Sequence, residues 1–79
     1  MTFKENTWYR ITTPAQTYGD VMFNSVTTEL KYVDKEKHLD RMTSYQRELA
    51  CSDLYTAWED CLGCIAVMKI KEDYIIEEK

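Results

Sequence analysis

Seventy-nine residues make one compact domain, residues 1–79, and exclude a multidomain reading. An aromatic content of 13%, with only two Gly and one Pro, excludes an intrinsically disordered chain. The formal charge of −4 argues against direct nucleic-acid binding, which needs a basic face to neutralise phosphates.

Thr7–Thr13 (TWYRITT) alternates Trp8, Arg10 and Thr12 against Tyr9, Ile11 and Thr13, which predicts a first strand. Pro14 ends it. Residues 14–20 read as a loop, with Gly19 as its turn residue. Val21–Phe23 reads as a short second strand, and Asn24-Ser25 suits a tight turn. Val26–Val33 (VTTELKYV) fits both a strand and a helix by periodicity. Two Thr, two Val and a Tyr in eight residues decide for a strand.

From Asp34 to Leu62 the pattern is helical. Cys51, Leu54, Trp58, Cys61 and Leu62 cluster on one side of a helical wheel, and Gly63 stands at a C-cap position. His38, Met42, Tyr45 and Leu49 make a second stripe, out of phase with the first. Two solutions follow. In one, the helix breaks near Cys51-Ser52, with Ser52 capping a second helix. In the other, which we favour, one helix runs over about residues 43–62. Thr43 then opens it in a capping box with Gln46, and Tyr45 and Leu49 stay exposed. Residues 35–42 remain unassigned. Cys64–Ile70 (CIAVMKI) reads as a buried strand, and Tyr74-Ile75-Ile76 as a last short one. The expected fold class is thus α+β in the order β-β-β-α-β-β, a small antiparallel sheet with one long helix packed on one face.

Charge is unevenly distributed. Residues 1–51 carry seven acids and seven bases, whereas residues 52–79 carry seven acids and three bases. An acidic end favours a basic protein surface as partner, or simply keeps the chain soluble. On the expected long helix, Glu48 and Glu59 flank the buried stripe, with Asp53 and Asp60 opposite, near Leu49. Carboxylates so spaced could occupy a channel built for phosphate, as in a nucleic-acid mimic.

Ten aromatic side chains exceed what so small a core requires. The surplus suits an interface, and equally suits partial burial with hydroxyls in water. The expected partner-binding set is Tyr45, Leu49, Asp53, Tyr55, Glu59 and Asp60.

Cys61-Leu62-Gly63-Cys64 is the one recognisable motif. At the end of a helix the dipole opposes thiolate formation, which argues against redox chemistry. Cys51, Cys61, Cys64 and His38 together would make one Cys₃His zinc set, although the spacing matches no standard finger. The simpler reading makes the cysteines small buried hydrophobes, with no metal and no cofactor.

No nucleophile, base and orienting group stand at catalytic spacing, and two isolated glycines cannot build a phosphate loop. The sequence therefore reads as a non-enzymatic binding protein. It would act as a compact inhibitor of a host macromolecule, of the type carried by phages and mobile elements. The second reading is a structural homodimer joined through the Tyr45/Leu49 face or a strand edge. The absence of a signal peptide and of an apolar span, with an odd cysteine count, gives a cytoplasmic expectation with no membrane association. The start at Met1 without a tag reads as a whole small gene product.

Overall fold

A computed structural model describes residues 2–79. Among the described residues, seven strands and two short helices follow one another. β1 is Trp8–Thr13, β2 Gln16–Tyr18, β3 Val21–Phe23 and β4 Val26–Val33. A 3₁₀ helix, Glu36–Arg41, and the α-helix α1, Ser44–Ala50, come next. β5 is Tyr55–Glu59, β6 Ile65–Lys69 and β7 Ile75–Glu78. β1, β4, β5, β6 and β7 form one antiparallel sheet in the order β6-β5-β4-β1-β7.

This architecture overturns the expected long helix on a sheet face. The Thr43–Gln46 capping box is present and does open a helix, but that helix stops at Ala50. Residues 36–41, left unassigned from sequence, take the tighter 3₁₀ form. The Ser52 hydroxyl accepts the Leu54 N–H, which turns the chain out of helix. Tyr55-Thr56-Ala57-Trp58-Glu59 then runs as a strand, as its aromatic and β-branched content favours. Gly63, at φ +82°, serves a hairpin turn between β5 and β6 rather than a helix C-cap.

The sheet cannot be flat. Four interstrand spacings would hold β6 and β7 about 19 Å apart. Lys69 lies opposite Tyr55, beyond the Val33 end of β4, whereas Ile75 lies opposite Thr12, near the other end. That offset adds on the order of 20 Å along the strands of a flat sheet. The chain from Lys69 to Ile75 reaches at most about 21 Å, less than the resulting diagonal. The sheet therefore coils until its two edges approach.

Coiling makes two cores. Inside the coil, Tyr9, Ile11, Leu30 and Trp58 pack with Phe3, Tyr32, Met68, Ile70, Tyr74 and Ile76. Phe3 touches three rings at once, with centroids 5.3 Å from Tyr9, 5.4 Å from Tyr32 and 5.0 Å from Trp58. On the outer face, Val33, Met42, Ala50, Ala57 and Ile65 pack with Val67 beneath the two helices. Gln46 fastens α1 to β6 by donating to the Ile65 carbonyl at 2.8 Å. Lys35 ties the 3₁₀ helix to the turn before β5, donating to the carbonyls of Ser52 and Tyr55.

Candidate functional site

β2 and β3 are the outer end of the β1–β4 hairpin. The register that pairs Thr13 with Val26 resumes after a gap of two residues on each strand, with Gln16 opposite Phe23. Pro14 lies in the gap. It has no N–H to donate to a ladder, and the Ser25 hydroxyl donates to the Thr13 carbonyl at 2.7 Å. At the tip, Gly19 takes φ +59° at the first central position of a two-residue turn, as a type II′ hairpin requires.

This arm stands outside both cores. Tyr18, Val21, Met22 and Phe23 are all exposed, Met22 at 72%, and Val26 at the arm's base is exposed as well. Pairing places Gln16, Tyr18, Val21 and Phe23 on one face and Thr17 and Met22 on the other. The Tyr18 and Phe23 rings meet edge to face, 5.8 Å between centroids, and the Tyr18 hydroxyl donates to Gln16 Oε1 at 2.6 Å. A groove of about 290 Å³ runs between this face and the body of the protein. Tyr18, Phe23, Val26, Pro14 and Tyr74 wall it, and Lys71 stands at its side.

A two-stranded hairpin gains little stability in water by itself. One that also shows a cluster of large apolar side chains to solvent calls for a physical reason. The sequence marked Val21–Phe23 as a strand but took residues 14–20 for a plain loop, so the arm was missed. The available signal was Gly19-Asp20 between two short runs carrying Tyr and Phe.

The expected partner-binding residues fall on separate elements. Tyr45 and Leu49 lie on α1, the first exposed and the second half-buried. Asp53 sits in the turn after α1, while Tyr55 and Glu59 are half-buried on β5. The helical face meant to unite them does not exist. Glu59 is engaged within the fold, 2.9 Å from Arg41 and 3.4 Å from its cross-strand partner Lys31. The Arg41 guanidinium, helped by Lys31, holds the Glu59 carboxyl below the usual carboxylate range despite partial burial. Lys79 and Arg10 do the same for Glu29 on the exposed face of β4.

Asp60 organises the β5–β6 turn. Its Oδ1 accepts the N–H groups of Leu62 and Cys64, both at 2.9 Å. Cys61 and Cys64 are exposed on the turn, Cys51 is exposed at the end of α1, and all three are free thiols. They are not the buried hydrophobes that the helical stripe implied. His38 lies on the 3₁₀ helix with Nδ1 2.8 Å from the Asp34 carbonyl. The proposed Cys₃His set is thus spread over three places. No cluster of three or more His, Cys, Asp or Glu suited to a metal occurs among the described residues.

A hollow of about 890 Å³ lies on the outer face of β1 and β4, bordered by Trp8, Thr27, Thr28 and Cys61. Of its charged neighbours, Glu29 and Lys79 pair with each other, and Asp60 accepts backbone N–H groups of the β5–β6 turn. Among the described residues, no helix is long and apolar enough to cross a membrane. Comparison with protein-family models, curated proteins and solved structures finds no match to this chain.

Proposed function

We propose that the chain is a non-catalytic protein-binding module that blocks or modifies its partner by docking the β2–β3 arm. One observation carries this reading: the arm presents Tyr18, Val21, Met22 and Phe23 to solvent on a hairpin that contributes to neither core. Aromatic side chains lose little rotamer entropy on docking, and large apolar residues presented together on a hairpin suit the centre of an interface. The net charge of −4 directs the module to a partner with a basic surface. This docking set replaces the Tyr45/Leu49-centred one as the principal surface, because Leu49 and Tyr55 are half-buried and Glu59 is already paired.

The test is affinity capture from a lysate of the natural host, with the tagged chain and its Met22→Ser and Phe23→Ser variants side by side. A stoichiometric partner held by the parent and by Tyr45→Ala, but lost by both arm variants, supports the reading. Retention by the arm variants overturns it. Light scattering on the same samples separates a foreign partner from a second copy: a dimer dissolved by Phe23→Ser assigns the arm to self-association instead.

A further inference from the structure

Resting on that reading, we infer that the groove at the base of the arm seats a single aromatic or large aliphatic side chain of the partner, one flanked by Lys or Arg. The groove has the dimensions for this. Its volume of about 290 Å³ accommodates one large side chain rather than a peptide backbone. Its walls are the Tyr18 and Phe23 rings on one side and Val26 and Tyr74 on the other. Tyr18 and Phe23 brace each other edge to face, so that wall is preformed. Tyr74 and the preceding Ile70 are anchored in the inner core, which fixes the opposite wall.

Charge selects the occupant's neighbours. Glu72 and Asp73 lie between the lining residues Lys71 and Tyr74, and Asp20 lies at the arm's tip, two residues from Tyr18. All three are exposed, and none makes an ion pair among the described residues. Against them stands one base, Lys71, which also has no ion-pair partner among the described residues. Lys71 lines the groove itself and the three carboxylates lie within two residues of lining residues along the chain, so the groove and its immediate neighbours carry a net charge of −2, complementary to an apolar anchor beside cationic residues. A second copy of this chain is a poorer occupant, since it would bring the same acidic rim against itself.

The test uses the full chain and three blocked tripeptides, Lys-Phe-Lys, Glu-Phe-Glu and Lys-Ala-Lys, followed by amide chemical shifts in NMR titrations. Lys-Phe-Lys is expected to move the amides of Tyr18, Phe23, Val26 and Tyr74. It should bind about fivefold tighter than Glu-Phe-Glu, a gap that closes at high salt. Lys-Ala-Lys should leave the groove unmoved. Reversing the rim with Glu72→Lys and Asp73→Lys together, both exposed, should invert the preference. Equal binding of Lys-Phe-Lys and Glu-Phe-Glu overturns the charge rim, and equal effects of Lys-Phe-Lys and Lys-Ala-Lys overturn the apolar seat. No groove shift with any peptide overturns the proposal as a whole. The arm reading is judged separately by Met22→Ser, because Met22 lies on the face away from the groove. If Met22→Ser loses the captured partner while the groove is silent, the arm docks without the groove.

Discussion

The indole N–H of Trp58 donates to the hydroxyl of Thr56, two residues back on the same strand, at 2.7 Å. Trp58 is fully buried, so this hydroxyl is the group that keeps its one polar atom satisfied. Thr56 in turn donates to the Met68 carbonyl at 3.2 Å, which carries the link across to β6. Thr56→Val keeps the shape but leaves the buried N–H without a partner, at a cost of about 1–3 kcal/mol. In urea unfolding followed by Trp fluorescence, the midpoint should fall. Thr56→Ser, which retains the hydroxyl, should lose less.

Acid should act through Glu59. Its folded-state pKa lies below the ordinary value of 4.5, chiefly because Arg41 hydrogen-bonds the carboxylate. The stabilisation is therefore complete above about pH 4.5 and is lost as the pH falls through the lowered folded value. Glu59→Gln should destabilise the protein by roughly 1 kcal/mol or less at neutral pH, since Arg41 remains partly exposed. Across the acid range the variant's stability should fall less steeply than the parent's. Parallel acid curves for the two proteins would remove Glu59 from the acid response.

The arm should be dispensable for folding. Met22→Ser and Phe23→Ser change exposed side chains outside both cores, so each should alter stability by no more than about 0.5 kcal/mol. Thermal melts check this, and they also validate the capture experiment by showing that any loss of partner is not loss of fold. Ile11→Ala, made in the inner core, is the contrast and should cost about 2–5 kcal/mol.

The β5–β6 turn separates backbone need from thiol need. Gly63 holds φ +82°, and a Cβ there would also meet the Arg41 guanidinium at 3.6 Å. Gly63→Ala should destabilise by about 1 kcal/mol or more, because Ala resists positive φ. Cys61→Ser and Cys64→Ser, on exposed thiols, should be near neutral. A metal chelator should leave the melting temperature unchanged, and a drop on chelation would restore a metal to the account.

Much of the sheet was legible from sequence and its partner layer was not. β1, β3, β4 and β6 lie within a residue or so of where β-branched and aromatic runs placed them, and the Thr43–Gln46 box opens a helix as its spacing implies. β5 was hidden for a specific reason. Ala57 and Trp58 are adjacent and both buried, one in each core, so the strand shows no alternation of apolar and polar residues. Cys51, Leu54, Cys61 and Leu62 then imitated a helical stripe, although all four are exposed in turns or at a helix end. Thr56 and the two aromatics beside it were the contrary signal. The β2–β3 arm was obscured by Pro14, which reads as a terminator yet here interrupts a hairpin that resumes in register beyond it.

Because neighbouring residues of β5 feed opposite cores, neither core can come apart while the other stays whole. Removing Ala57 from the helical side displaces the strand that holds Trp58, and the reverse holds equally. Melting should then be a single cooperative event centred on this strand. Amide hydrogen exchange would show it directly: β5 protons should be the last to be replaced, at rates set by global unfolding, while those of the β2–β3 arm exchange by local opening. A chain built in this way can open its β2–β3 arm without loosening the body that carries it.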